Sequence, residues 1–261
     1  LNMNDTNKSP KIGATIQARM GSERFYGKVL KKISNKPMLL WQIERLQRVK
    51  CIDNIVIATT NNKADDDIVD LCEKSNIQYF RGSENNVIDR IASLLIKYNF
   101  SYHIEFYGDS PFIDIELVNK YVKLFLDKKD EIDYLSNCIK TTFPPGLEVI
   151  MYKSKTLIEI NQNLNDKDPL REHAGFNITR FPNKYKILSL NAPKEFYMPD
   201  LFLEVDTRDD FKLISYIFNY FIKIGKYDFD LSDIITLIKK YPHLKEINNN
   251  VHRRWRKLRA E

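Results

Sequence analysis

The sequence is poor in glycine and cysteine and contains no long apolar run. Among its 261 residues are eight glycines and three cysteines. The three cysteines are widely spaced and form no C-x-x-C pair, which argues against a disulfide framework and a zinc site. No stretch approaches the roughly 18 apolar residues of a membrane span, and the polar start LNMNDTNKSP lacks a signal-peptide core. We therefore expect a cytoplasmic protein with no membrane association.

The composition is that of a globular protein with a basic surplus. The hydrophobic content of 43% is sufficient for a sizeable core, and the net charge is +6. A basic balance suits an anionic ligand, but much of the excess lies in the tail HRRWRKLRAE. Charge alone therefore does not identify a partner.

Strand and helix patterns alternate through the first 127 residues. The runs IGATI, NIVIAT, IQYF and YHIEFY predict strands, and MLLWQIERLQRV, DDDIVDLCEKS, VIDRIASLLIKY and IELVNKYVKLFL predict helices. This alternation is typical of βαβ units. It predicts an α/β fold with an open, mostly parallel twisted sheet and helices on both faces.

The rest of the chain is less regular. In residues 137–183, PPGLEV predicts a turn into a strand and DPLREHAGFNITRF predicts a helix. YKILSL and LFLEV predict two further strands, followed by the helices DDFKLISYIFNYF and DLSDIITLIKKYP. We assign residues 1–225 to one domain, with an irregular excursion at 137–183, and residues 226–261 to a C-terminal helical extension with a basic end.

The loop QARMGSERFYGKVL after the first predicted strand carries Arg19, Arg24 and Lys28. The backbone at Gly21 and Ser22 can cradle phosphate oxygens, and the three cations suit a triphosphate. The loop is not a Walker motif, because G-x-x-x-x-G-K-[ST] is absent. A solvated face with turn glycines is the alternative interpretation.

Two aspartates follow apolar runs, and each can hold Mg²⁺ against a nucleotide phosphate. Asp109 lies in YGDSPFID and Asp206 in LFLEVDTRDDF. The alternative for Asp109 is a helix cap, a role that suits Asp114 better. Thr207 is expected to cap the next helix.

Together these segments resemble a known family. QARMGSERFYGKVL, ATTNNKADDDI, FRGSENNVIDR, YGDSPFID, PPGLEV, REH and EVDTRDDF, in this order, are similar to the cytidylyltransferases of the spore coat polysaccharide biosynthesis protein F type. These enzymes are relatives of the CMP-acylneuraminate and CMP-KDO synthetases. The resemblance implies a Rossmann-like nucleotidyltransferase fold of the GT-A-like kind. It also implies transfer of CMP from CTP to a small acidic acceptor, with Mg²⁺ as cofactor, and a homodimer formed through the irregular excursion.

The resemblance also implies the roles of individual residues. The implied catalytic residues are Arg19, Lys28, Asp109 and Asp206, of which Asp109 and Asp206 are the metal ligands. The implied nucleotide-binding residues are Ala18, Arg19, Gly21, Ser22, Arg24, Lys28, Arg81 and Ser83. The implied acceptor-binding residues are Arg90, Glu148, Arg171 and His173.

The chain departs from the family pattern mainly on the acceptor side. Asn85 and Asn86 replace an acidic pair, and Ala174-Gly175-Phe176 follows REH. In the opening loop, Phe25-Tyr26 stands where the family usually has Leu-Pro. The acceptor therefore stays open between an acidic sugar and a phosphorylated or phosphonate compound.

Three alternative interpretations are also open. A glycosyltransferase would use a D-x-D motif at the end of a central strand, whereas Asp65 and Asp67 have that spacing within the run ADDDI, at a predicted helix start. The cluster Arg253, Arg254, Arg256, Lys257 and Arg259 around Trp255 suits nucleic acid, although we favour a solvated or subunit-contacting helix end. His173 is either an acceptor ligand or a partly buried helix residue.

Overall fold

The computed structural model describes residues 10–255 of the chain. The strands are β1 (Ile12–Gln17), β2 (Lys32–Ile33), β3 (Lys36–Pro37), β4 (Asn54–Thr60), β5 (Gln78–Gly82), β6 (Tyr102–Tyr107), β7 (Tyr134–Ser136), β8 (Ile150–Lys153) and β9 (Ile187–Ser189). The α-helices are α1 (Met38–Leu46), α2 (Asp66–Lys74), α3 (Val87–Tyr98), α4 (Ile115–Asp127), α5 (Ser154–Asn163), α6 (Arg208–Lys223) and α7 (Leu231–Lys240). Short 3₁₀ helices connect several of them.

The main sheet has seven strands in the order β5-β4-β1-β6-β8-β7-β9. The first four neighbours are parallel, β8 is antiparallel to both of its neighbours, and β7 and β9 are parallel. The chain leaves β1 for β4 and β5 on one side and then crosses to β6 on the other. Ligands bind in open α/β sheets outside the carboxyl ends of strands at such a switch point. The ends of β1 and β6 therefore define the expected site.

Helices cover both faces of the sheet, as the alternation of patterns predicted. On β4, Ile57 packs on one face among apolar residues of α1, α2 and α4. Its neighbours Val56 and Ala58 pack on the other face with α3 and α5. Successive strand residues point to opposite faces, so both faces of this strand, which is second from the edge of the sheet, are buried.

A further apolar cluster joins the C-terminal helices to the N-terminal half of the chain. It contains residues of α6 and α7 together with Ile33, Met38, Trp41 and Phe112. The predicted boundary after residue 225 stays a prediction. No helix within residues 10–255 is long and apolar enough to cross a membrane.

Two secondary-structure predictions were wrong. DPLREHAGFNITRF forms two short 3₁₀ helices, Pro169–Glu172 and Gly175–Arg180, instead of one α-helix. LFLEV is buried but does not join the sheet. Its backbone makes isolated hydrogen bonds instead of a ladder, such as Leu203 N to Pro145 O and Val205 N to Asp109 O. Its apolar character therefore reflects burial, which does not require a strand.

His103, on β6, has to remain uncharged in the folded protein. It is fully buried, its Nε2 lies 2.9 Å from Thr15 Oγ1, and its Nδ1 has no hydrogen-bond partner among the described residues. Burial lowers the pKa of His103 from 6.5 to about 3. Between these values the unfolded chain binds a proton that the folded chain does not.

The free energy of unfolding should consequently fall as the pH drops from about 6.5 to about 3, by about 1.4 kcal/mol per pH unit from this residue. We expect His103→Gln to remove this part of the pH dependence, and His243→Gln, at an exposed position, to leave it unchanged. Urea unfolding of the three proteins across this range measures the effect. Parallel profiles for the wild type and His103→Gln would contradict the assignment.

Candidate functional site

The loop after β1 is held in place by a buried carboxylate. Asp65 Oδ1 accepts a 2.7 Å hydrogen bond from Met20 N, and Oδ2 accepts bonds from the backbone and the hydroxyl of Thr60. Gly27 has φ 64°, a left-handed conformation that suits glycine, and its N–H donates to Met20 O. Asp65 is thus engaged by the chain itself and Asp67 is exposed, so the structure does not support a D-x-D metal motif.

The ammonium of Lys28 lies between the two aspartates that the sequence singled out. Its Nζ is 2.9 Å from Asp109 Oδ2 and 3.3 Å from Asp206 Oδ1. Arg24 Nη2 lies 2.7 Å from the other oxygen of Asp206. Burial works against the charge on Lys28, but the two carboxylates outweigh it and raise the pKa of Lys28. Two cations of the opening loop and two distant acids therefore form one cluster.

This cluster lies in a cleft of about 850 Å³. Ten predicted site residues line the cleft: Ala18, Arg19, Gly21, Ser22, Arg24, Lys28, Arg90, Asp109, His173 and Asp206. A side pocket of about 350 Å³ shares Asp109, His173 and Asp206 with it and adds Glu148. The carboxyl ends of β1 and β6 contribute Gln17 and Tyr107. The opening loop and both aspartates therefore meet at this edge of the sheet.

Three predicted site residues line neither cavity. Arg81 donates to Thr60 O and Asn62 O and pairs with Asp66. Ser83 Oγ accepts from Asn86 N. Arg171 is buried and donates to the backbone oxygens of residues 164 and 165 and to Asn161. These contacts are internal to the fold, and their ligand roles stay predictions.

Arg90 and His173 reach the cleft in different ways. Arg90 is buried and donates to Ser83 O and to Gln17 Oε1. Burial, and then the charge of Arg19, lower the pKa of Arg90. His173 is half-buried, at the end of a 3₁₀ helix, and burial lowers its pKa. Arg90 therefore supports the cleft wall from below, while His173 lies where the two cavities meet.

Beneath the cleft, the carboxylate of Glu105 joins four elements. Oε1 accepts from Gln17 Nε2 and the Tyr107 hydroxyl, both at 2.9 Å, and Oε2 accepts from the Tyr152 hydroxyl and Gly175 N at 2.8 and 2.9 Å. Burial raises the pKa of Glu105, although these donors oppose the shift. The sequence analysis missed this residue. The sequence did contain a signal for it, an acidic residue within the apolar strand pattern YHIEFY. Acidic residues are rarely fully buried without partners, so its place in a buried strand indicated a hydrogen-bonded carboxylate.

The described part of the basic tail, residues 253–255, approaches the cleft, whereas the sequence favoured a solvated or subunit-contacting helix end. Arg253 is buried and pairs with Asp210 at 2.7 Å, and Arg254 pairs with Glu23 at 2.8 Å. Trp255 Nε1 donates to Glu204 Oε1 at 2.6 Å, and both residues line the side pocket. Burial, and then the negative charge of Glu148, raise the pKa of Glu204 to about 8. Arg256, Lys257 and Arg259 lie outside the described residues.

Comparisons with known proteins agree on one family. The family profile described as cytidylyltransferase matches residues 14–223. The spore coat polysaccharide biosynthesis protein SpsF of Bacillus subtilis is 32% identical over 232 residues, which cover 87% of this chain and 93% of SpsF. The resemblance that the motifs indicated is thereby confirmed.

Solved structures agree on the fold. A cytidylyltransferase from Leptospira borgpetersenii superposes with a TM-score of 0.85 at 29% identity, covering 94% of this chain and all of that one. A CMP:2-keto-3-deoxy-manno-octonic acid synthetase complexed with CTP superposes with a TM-score of 0.59 at 16% identity, covering 80% of this chain and 99% of that one. The predicted α/β nucleotidyltransferase fold is confirmed.

Replacing Glu105 with glutamine should loosen the cleft floor. The amide keeps the volume but presents an NH₂ group where the carboxylate accepted hydrogen bonds, so at least one buried donor loses its acceptor. We expect Glu105→Gln to lower the free energy of unfolding by about 1–3 kcal/mol. Tyr152→Phe, which removes a single hydrogen-bond donor, should lower the free energy of unfolding by less. Urea unfolding measures both, and a Glu105→Gln protein as stable as wild type would contradict this role.

Proposed function

The chain belongs to the cytidylyltransferase family, and from this premise we propose that it transfers CMP from CTP to an acidic sugar during the synthesis of a surface polysaccharide. Pyrophosphate is the other product. The similarity to SpsF, a spore coat polysaccharide biosynthesis protein, supports this class of pathway. Because CTP is a cytoplasmic nucleotide, we propose that the reaction takes place in the cytoplasm.

The observation that carries the proposal is the position of Lys28 between Asp109 and Asp206. The cations that suit a triphosphate and the acids that suit its counter-ion lie together at the switch point of the sheet. Arg19 lines the same cleft and is more than half exposed, with only a 3.5 Å contact to Glu84. The Arg19 side chain can therefore rotate toward a phosphate with little loss of free energy.

The residues of the cleft support an in-line displacement. An oxygen of the acceptor forms a bond to the α-phosphorus of CTP as the bond to pyrophosphate breaks. Arg19, Arg24 and Lys28 bind the phosphates and stabilise the charge that develops on the departing pyrophosphate. The protein contributes mainly position and charge, because the bonds made and broken belong to the substrates.

Asp109 and Asp206 fit a Mg²⁺ ion. Their oxygens are close enough to share one ammonium, and carboxylate oxygen is the ligand type that Mg²⁺ prefers. Among the described residues no group of three or more His, Cys, Asp or Glu side chains forms a metal cage. A two-carboxylate site completed by substrate phosphates is the usual arrangement for this ion. When bound, Mg²⁺ would offset phosphate charge and acidify the acceptor hydroxyl.

We further propose an acceptor carboxylate on the side of Arg254 and His173, and a homodimer through residues 137–183. Arg254 and His173 line both cavities, next to Asp109 and Asp206. A cation and an imidazole at this junction suit a carboxylate close to the reacting hydroxyl. The dimer is supported by the family resemblance of the irregular excursion.

CTP should stabilise the protein more than other nucleotides. A ligand at about a hundred times its Kd raises the free energy of unfolding by about 2.7 kcal/mol. Thermal unfolding with Mg²⁺ and CTP, UTP, ATP or GTP, each repeated with EDTA, measures this. We expect the largest shift with CTP and a smaller one after chelation. A larger shift with another nucleotide would contradict the proposed donor.

Asp109→Asn and Asp206→Asn should each lower kcat at least about a hundredfold, because each removes a charged group at the reacting phosphate. Asp209→Asn is the matched control, since Asp209 is an exposed acid in the first turn of α6 and lies outside both cavities. Pyrophosphate release measures turnover, and circular dichroism checks folding. A folded Asp109→Asn protein with normal turnover would refute the metal assignment.

A further inference from the structure

The C-terminal segment of the described chain, residues 248–255, returns to the cleft and is firmly anchored there. Asn248 Nδ2 donates to Phe202 O at 3.0 Å and to Asp210 Oδ1 at 2.8 Å. The Arg253 side chain is 1% exposed and pairs with Asp210, which is itself fully buried. Arg24 of the opening loop donates to His252 O at 2.8 Å. These buried contacts fix the backbone that carries Arg254 and Trp255.

This segment supplies one wall of the side pocket. Trp255 lines the pocket, as do Phe176 and Ile150, and the carboxylates of Glu148 and Glu204 lie among these apolar groups. The indole N–H of Trp255 donates to Glu204 at 2.6 Å, which fixes the orientation of the ring. The pocket also includes Asp109 and Asp206, so a molecule inside it lies next to the proposed phosphate chemistry.

The combination of aromatic rings and carboxylates indicates the chemistry of the occupant. A sugar ring offers an apolar C–H face that can lie on an indole, and its edge carries hydroxyl or amino donors. Carboxyl oxygens accept hydrogen bonds, so Glu148 and Glu204 suit such donors. Arg254 and His173 line the same pocket, and the acid group of the acceptor is therefore placed on their side.

We propose that residues 248–255 form the sugar-ring subsite for the acceptor, with the ring stacked on Trp255 and its hydroxyl or amino groups donating to Glu148 and Glu204. This inference rests on the proposed function. It assigns to the tail a role in acceptor specificity, in place of the nucleic-acid or solvated roles considered from the sequence. The nucleotide half of the cleft does not depend on it.

The test compares Trp255→Ala, Trp255→Phe and the control Tyr227→Ala, whose exposed ring lies outside both cavities. The probe acceptors are 3-deoxy-manno-octulosonate and N-acetylneuraminate, with pyrophosphate release as the readout. We expect Trp255→Ala to raise the acceptor KM about tenfold or more, with the KM for CTP within about twofold of wild type. Trp255→Phe, which keeps a ring but loses the N–H, should recover part of the loss. An unchanged acceptor KM in Trp255→Ala, or an equal rise in the KM for CTP, would overturn the inference.

A binding measurement separates this inference from the proposed function. The chain has two tryptophans, and the other, Trp41, is buried against Phe218 in the core. With EDTA present to prevent turnover, adding a probe acceptor to the CTP-loaded protein should change the tryptophan fluorescence of the wild type and not that of Trp255→Phe. If CTP stabilises the protein but neither acceptor changes the fluorescence, the subsite is wrong and the nucleotide assignment stands. If CTP itself gives no thermal shift, the proposed function fails first.

Discussion

The placement of one ammonium between two carboxylates organises the cleft. Lys28, Asp109 and Asp206 come from three segments that are far apart in sequence, and the ion pairs bring them together. A largely buried cation is tolerated only with such partners, and two neighbouring acids repel each other without a cation between them. In the proposed reaction a divalent ion would take the place of the ammonium between the two carboxylates, and the ammonium would pair with a phosphate instead.

The convergence of the opening loop and Asp109, where we propose that the nucleotide binds, follows from the parallel strands that precede them. The carboxyl ends of β1 and β6 lie side by side, so a loop rich in cations and an aspartate after the next strand had to converge. Asp206 lines the cleft although LFLEV forms no strand, and its metal role stays a prediction. What the pattern detected was a buried apolar segment leading to the Thr207 cap of α6.

The acceptor half was less predictable because its cations depend on tertiary partners. Arg171 and Arg253 are both arginines, and nothing in the sequence indicated that Arg253 would be buried in an ion pair. Arg253 is matched by Asp210, an acid that the sequence assigned only to the start of a helix. Arg171 instead donates hydrogen bonds to backbone oxygens at an irregular turn. Such backbone acceptors depend on how the chain folds there and not on a pattern of residue types.

The difference between the two halves has a physical cause. Glu105 and Asp65 fix the nucleotide side to the sheet through buried hydrogen bonds, and such networks tolerate little change. On the proposed acceptor side, the 3₁₀ helix that begins at Gly175 is bonded to the same Glu105, whereas the segment 248–255 is held through residues 202–210, which lie outside the strands. This segment can therefore change with less effect on the sheet. The same reasoning explains why the departures in this chain, at Asn85 and at Ala174-Gly175-Phe176, lie beside the cleft and not within the sheet.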